Sequence, residues 1–446
     1  MTKPELLSPA GSLKNMRYAF AYGADAVYAG QPRYSLRVRN NEFNHQNLAT
    51  GINEAHALGK KFYVVVNIAP HNAKLKTFIR DLTPVVEMGP DALIMSDPGL
   101  IMLVREAFPQ VCIHLSVQAN AVNWATVRFW QQMGLSRVIL SRELSLEEIE
   151  EIRRQVPDME LEVFVHGALC MAYSGRCLLS GYINKRDPNQ GTCTNACRWD
   201  YQVSEAQQDD NGNIVPQPTL GIGAPTERVF MLADGQRPDE PMPAFEDQHG
   251  TYILNSKDLR AVEHVNRLAD MGVASLKIEG RTKSFFYCAR TAQVYRRAID
   301  DAAAGKPFDT SLLNTLDGLA NRGYTEGFMR RHTHDSYQNY EHGYSVSHQQ
   351  QFVGEFSGER RDGLAEVIVK NRFAVGDSLE LMTPDGNLRF ELETMQDKKG
   401  NQMLVAPGDG YRIWLPLADE IALNWALLLR NFSEGSTRQA VNAAAS

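Results

Sequence analysis

Four of the chain's six cysteines, Cys170, Cys177, Cys193 and Cys197, crowd into 28 positions, separated by six, fifteen and three residues. Thiolates are soft ligands that suit zinc or an iron–sulfur cluster. Zinc ribbons usually carry tight CxxC pairs. This looser spacing fits a cluster as well or better, and cysteine quartets hold clusters of two or four irons. Three other readings compete: four unliganded thiols, a structural zinc, and a cysteine nucleophile with His166 as its base. The last needs a third group to orient the pair, and the sequence offers no clear one. Cys112 and Cys288 lie apart and are expected to be ordinary buried thiols.

The cysteines must be positioned by something. Over the first 300 residues, short β-rich runs alternate with amphipathic helical stretches, the pattern of parallel βαβ units. Strands are expected at Glu5–Ser8, Ala24–Gly30, Phe62–Asn67, Ala92–Ser96, Cys112–Gln118, Arg137–Arg142, Leu161–His166 and Ser275–Glu279. Their Val, Ile, Leu and Tyr content suits strands covered on both faces. Helix starts are legible too. Ser145 with Glu148 three residues on forms a capping box, and Asp97 precedes Pro98, a favoured first-turn residue. Eight such units predict a closed (β/α)8 TIM-like barrel. An open doubly wound sheet is the competing arrangement, although no GxGxxG follows the first strand.

The seventh unit is abnormal. About 90 residues follow its strand before the next helix candidate, near Asp258, and such loops are usually functional. The cysteines open this insertion, about 167–257. Cys170 should then lie just past the C-terminal end of strand seven, on the face where barrel active sites form.

The barrel is expected to span 1–335. A second domain, 340–433, shows short β runs punctuated by Asp385-Gly386, Lys399-Gly400 and Asp409-Gly410, and reads as a small β-barrel. The tail 434–446 reads as disordered. The net charge of −7 does not advertise nucleic-acid binding, so any RNA surface must be a local basic patch. No run of about 20 apolar residues is present, so no membrane span is expected. The N-terminus lacks the features of a signal peptide, which points to the cytoplasm.

The stretch from Glu162 to Ser180, with its HGALCMAYSGRCLLS core, resembles the signature of the collagenase-like "U-type" peptidase family. Leu7–Gly11, Gly23–Tyr28 and Leu276–Arg281 resemble it as well, and the likeness extends over essentially the whole chain. Tyr28–Asn41 and Lys185–Trp199 are most similar to the family's bacterial subgroup of prephenate-dependent tRNA uridine 5-hydroxylases. The resemblance implies oxygen-independent 5-hydroxylation of the wobble uridine. It also implies a 4Fe-4S cluster on Cys170, Cys177, Cys193 and Cys197, prephenate as co-substrate, and the tRNA anticodon loop as partner. An electron donor would be a further, unidentified partner. The segment 255–260 lacks a cysteine that some relatives carry there, and Cys197 takes that place in this reading.

Arginine forks bind carboxylates bidentately, and prephenate presents two. Arg37, Arg39, Arg142 and Arg281 lie at or after strand ends, on the expected active face; rim ion pairs are the plain alternative. Lys185, Arg186 and Arg198 could grip anticodon-loop phosphates while Trp199 stacks a base, or simply form a solvated loop. His166 could move a proton or be a satisfied core histidine. Glu279 is a candidate base, or a structural partner of Lys277 or Arg281. Asn67, Gln118 and Asn120 end other strands and could hydrogen-bond a substrate. Two rival functions stand beside hydroxylation: a collagenase-like peptidase, and a zinc-stabilised RNA-binding protein.

Overall fold

The computed structural model describes residues 3–36, 42–169, 257–321, 323–330 and 349–432, together with the backbone of short strands between 206 and 251. Seven parallel strands run in chain order: β1 (Glu5–Pro9), β2 (Ala26–Gly30), β3 (Lys61–Val66), β4 (Ala92–Met95), β5 (Ile113–Leu115), β6 (Arg137–Ile139) and β7 (Glu160–Ala168). Three more strands follow, β8 (Asp258–Arg260), β9 (Ser275–Ile278) and β10 (Tyr324–Thr325); β9 is the last barrel strand, and the short β8 pairs with β7 and with β10. β9 pairs in parallel with both β7 and β1, so the eight-stranded ring closes. The TIM-like barrel, not the open sheet, is the fold.

The helices packed around it are α1 (Leu13–Ala21), α2 (His45–Ala57), α3 (Asn72–Glu87), α4 (Pro98–Ala107), α5 (Trp124–Gln132), α6 (Leu146–Gln155), α7 (Val265–Asp270), α8 (Phe285–Ala303) and α9 (Ser311–Asp317). Their starts obey local chemistry. Ser12, Asn44, Asp97, Asn123 and Ser284 each accept a backbone N–H of the first turn, which satisfies one donor that a helix start leaves orphaned. The Ser145–Glu148 capping box forms in full.

Two local expectations need correction. Asp258 does not open a helix. Asp258–Arg260 is a strand, antiparallel to the outer end of β7, and the helical turn begins only at Val262. Pairing with an otherwise open stretch of β7 backbone outweighs helix propensity over so few residues. Cys112 is exposed, because it precedes β5 rather than lying in it; Cys288 is buried as expected.

After the barrel comes an eight-stranded antiparallel sheet between Gln350 and Asn431. It has its own core of Val353, Val367, Leu379, Leu381, Ile413 and Leu428. It docks on α1 and α8. Arg290, 1% exposed, bonds Glu380 at 2.6 Å and Gln350 at 3.2 Å. Phe286 stacks on Phe352 at 5.3 Å, and the Tyr22 hydroxyl donates to the carbonyls of Met382 and Trp425. No described helix is long and apolar enough to cross a membrane.

Candidate active site at the barrel mouth

Side chains along a strand alternate between faces. Barrel interiors are usually filled with branched aliphatics. Here several inward positions are polar. Glu5 of β1 meets Arg137 of β6 at 2.6 Å, a contact between non-adjacent strands that only the interior permits. Arg137 also reaches Glu162 of β7 at 3.1 Å, and the other Glu162 oxygen takes the Lys277 ammonium of β9 at 2.8 Å. The Tyr63 hydroxyl donates to Glu5 at 2.8 Å, and the His114 ring lies 4.8 Å from that of Tyr63.

Burial alone would neutralise such groups. It pushes the Glu162 carboxyl up, but Lys277 and Arg137 outweigh it and hold the pKa below the usual value. The same contest, with Arg137 as the main opponent, leaves Glu5 lowered. Burial pushes Lys277 down against the pull of Glu162, and pushes His114 well down. The network balances its charge inside the barrel and forms the floor of the mouth.

One strand step above Lys277 lie the mouth groups. Glu279 follows β9 and Arg142 follows β6, and they meet at 3.1 Å. The Arg142 guanidinium lies 4.0 Å from the Phe164 ring centroid. Arg281 is 9% exposed and donates to the Ser35 hydroxyl at 2.8 Å. The Tyr28 ring centroid lies 4.3 Å from the Lys277 ammonium and 5.8 Å from the Arg281 guanidinium. Across the mouth, the Asn67 amide donates to Ser116 and Gln118, each at 3.2 Å, and its oxygen accepts the Leu36 N–H. Asn120 holds a left-handed backbone and donates to the Gln118 carbonyl. The mouth thus offers two arginines against one carboxylate, beside a cluster of amides and hydroxyls. That set suits an anionic ligand that also carries hydrogen-bonding edges.

His166 sits elsewhere. Between Lys277 and Ile278 the register of β7 shifts, because Phe164 opposes the first and His166 the second. The extra residue, Val165, is a bulge, which re-aims the side chains beyond it. The imidazole therefore turns out of the barrel, into a cage of Tyr287, Tyr295 and Tyr324 with ring centroids 5.5–5.8 Å away. Its Nδ1 lies 3.4 Å from the Tyr295 hydroxyl. Burial pushes its pKa down to about 3, so it is neutral near pH 7. A depressed histidine pKa contributes stability that is complete above the unfolded value, about 6.5, and is lost as pH falls toward the folded value. His166→Phe is therefore expected to flatten the decline of stability between about pH 6.5 and 4. Denaturant midpoints of both proteins across that range provide the check. Equal slopes would contradict it.

Gly167, next in the chain, has φ of +108°, and a Cβ there would lie 2.5 Å from the Glu279 carbonyl oxygen. Only glycine lets β7 and the end of β9 approach so closely. The Tyr287 hydroxyl donates to that same carbonyl at 2.7 Å. This described stretch runs to Leu169, just past the C-terminal end of β7. Cys170, Cys177, Lys185, Arg186, Cys193, Cys197, Arg198 and Trp199 lie outside the described residues, as do Arg37 and Arg39. Among the described residues, one group could gather around a cation: Glu263, His264 and Glu326, with donor atoms within 4.8 Å of one another. It is already satisfied internally, since His264 bonds Glu326 at 2.6 Å and Arg330 lies over both carboxylates.

Sequence reasoning expected Arg142, Glu279 and Arg281 at or after strand ends, where they lie, but did not single out the charged network beneath them. The signal was present: Glu5, Arg137, Glu162 and Lys277 are charged residues inside runs otherwise fit for burial, where an unpaired charge would be costly.

The model of peptidase family U32 matches residues 11–339, and that of the family's C-terminal domain matches 348–430. The chain is 79% identical over 448 residues to tRNA hydroxylation protein P of Escherichia coli (strain K12), covering 98% of this chain and 99% of that one. It is 72% identical over 450 residues to the protein of the same name from Haemophilus influenzae, covering 98% of each. A more distant relative, the 23S rRNA 5-hydroxycytidine C2501 synthase of Escherichia coli (strain K12), is 29% identical over 419 residues, covering 91% of this chain and 56% of that one. The chain belongs to peptidase family U32 and carries both of the family's domains.

Proposed function

We propose that this protein is a tRNA-modifying enzyme that hydroxylates carbon-5 of the wobble uridine, without molecular oxygen, with prephenate as co-substrate and an iron–sulfur cluster as cofactor. The observation that carries the reading is the 79% identity, over nearly the full length of both chains, to a protein named for tRNA hydroxylation. The mouth is chemically suited to the task. Arg142 and Arg281 offer forks for a dicarboxylate, and Glu279 is a carboxylate already within hydrogen-bond reach of one of them. Gln118, held by Asn67, offers an amide edge for a base swung out of a loop, the state in which an anticodon nucleotide is reached.

The four cysteines of the insertion would hold the cluster. Their donor set is right for it, and Leu169, just past the C-terminal end of β7, immediately precedes Cys170. When bound, the cluster would supply electron transfer and an iron site. The protein's own part is to bind and orient. The arginines fix the co-substrate, the Glu162–Lys277 floor keeps the charge beneath it balanced, and Glu279 can hold a proton beside Arg142.

Complementation in cells tests the reading. A strain lacking the gene should lose 5-hydroxyuridine-type nucleosides from its tRNA, and the wild-type gene should restore them. Unchanged nucleosides in the deletion strain would defeat it. Collagen or casein cleavage by anaerobically purified protein would favour the peptidase alternative. Zinc without sulfide would favour the RNA-binding one.

A further inference from the structure

Residues 33–80 hold eight Lys or Arg against two Glu and no Asp, in a chain whose net charge is −7. The fold gathers half of these basic residues on one side of the mouth. Helix α3 follows β3, so its first turns stand at mouth level, and they carry Lys74 and Lys76. Arg80 lies six residues beyond Lys74, about 9 Å along the helix axis. Lys76 and Arg80 are exposed. Arg33, in the loop after β2, joins them by lying 2.5 Å from Asp81. Asp81 also takes Arg80 at 3.2 Å, so one carboxylate faces two guanidinium groups and leaves the ridge with excess positive charge.

The ridge is continuous with the mouth. The Tyr34 hydroxyl donates to Asp81 at 2.9 Å, while its ring packs edge-on against Phe78 at 5.1 Å. The next two residues of the same loop face the site: Ser35 receives Arg281, and the Leu36 N–H donates to Asn67. Six residues, Gln31–Leu36, therefore span from the outer ridge to the polar groups of the mouth. On the α6 side the balance is acidic, for α6 carries Glu147, Glu148, Glu150 and Glu151 against Arg153 and Arg154, with Arg267 of α7 bridging Glu147 and Glu150. A polyanion approaching the mouth is drawn to the α3 side and repelled from the α6 side.

We propose that Arg33, Lys74, Lys76 and Arg80 form a phosphate-tracking ridge that holds the RNA backbone next to the nucleotide entering the mouth. The occupant is RNA because the ridge is basic, carries no exposed aromatic ring among its described residues, and borders the site for the reacting base. Such contacts position without reading sequence. The inference rests on the tRNA reading above.

The test uses the full chain, purified anaerobically, with an unmodified transcript of a tRNA bearing uridine at the wobble position. Fluorescence anisotropy gives the dissociation constant at several KCl concentrations. For the double variant Lys76→Glu/Arg80→Glu, affinity should fall on the order of 10-fold, and the slope of log K against log salt should shrink by roughly 1 to 2. Its thermal melt should match wild type. Glu150→Lys/Glu151→Lys, on the acidic side, should leave tRNA affinity equal or higher. Normal affinity and slope in Lys76→Glu/Arg80→Glu, with a wild type that binds and modifies tRNA, would overturn the ridge alone. A wild type that does not bind tRNA would overturn the ridge and the tRNA reading together.

Discussion

Glu162→Ala should cost the barrel about 3–5 kcal/mol, the usual penalty for removing one partner of a buried ion pair. Glu162 is 0% exposed and lies between two cations, Lys277 at 2.8 Å and Arg137 at 3.1 Å. Truncation leaves both under-compensated, and each is only 3% exposed. Arg137 retains Glu5 and Glu160; Lys277 retains only the faces of Tyr28 and Phe164 among the contacts above. The double variant Glu162→Met/Lys277→Met should therefore lose less than Glu162→Ala, because a buried pair replaced by apolar side chains is often near neutral. Chemical denaturation of the three proteins measures this. A Glu162→Ala protein as stable as wild type would show that the network is not holding the barrel.

Acid should act on the same network. The carboxyls of Glu162 and Glu5 are held below their ordinary value. Their contribution is complete above the unfolded pKa, about 4.3, and is lost as pH falls through the lower folded values.

The second large effect is expected at Arg290. This guanidinium is almost fully buried between the barrel helix α8 and the C-terminal sheet, and Glu380 is its partner at 2.6 Å. Burial tends to raise the Glu380 pKa, but Arg290 keeps it lowered, so the carboxylate stays charged. Arg290→Ala leaves that buried charge with Gln350 and the exposed Arg389 among its remaining partners. A loss of about 3–5 kcal/mol is expected. It should appear in calorimetry as an earlier, separate transition of the C-terminal sheet, since stacking of Phe286 on Phe352 and the Tyr22 hydrogen bonds remain but the central ion pair is gone. A single unshifted transition would count against this latch. Because α8 also carries Tyr287, which bonds the Glu279 carbonyl, undocking should loosen the mouth as well.

How much of this was legible in the sequence follows from periodicity. The eight barrel strands declare themselves because both faces are covered, so β-branched and aromatic residues run almost unbroken, as in Phe62–Val66. Parallel strands then place every strand-end residue on one face, which is why Arg142, Glu279 and Arg281 could be assigned to the mouth. Pairing was not legible. Glu279 has Lys277 and Arg281 as inward neighbours two residues away, about 7 Å along the strand. Its observed partner, Arg142, is 137 residues distant in sequence and reaches it across the barrel. The direction of His166 was hidden too, since a bulge breaks the two-residue alternation and leaves no mark of its own. In the C-terminal domain, Leu427–Asn431 pairs on both sides, with Gln350–Arg361 and with Ser378–Thr383. No turn dipeptide announces it, and the sequence reading passed over it.

In the proposed reaction the mouth, with thiolates supplied by the adjoining insertion, hydroxylates a tRNA uridine. The most direct measurement is anaerobic turnover: purified protein, its iron and sulfide content determined, incubated with unmodified tRNA transcript and prephenate, and the nucleosides then analysed by mass spectrometry. Wild-type protein that contains both iron and sulfide should yield 5-hydroxyuridine, and Cys170→Ala or Cys193→Ala none. Full product from either cysteine variant, or from wild-type protein lacking iron and sulfide, would contradict it.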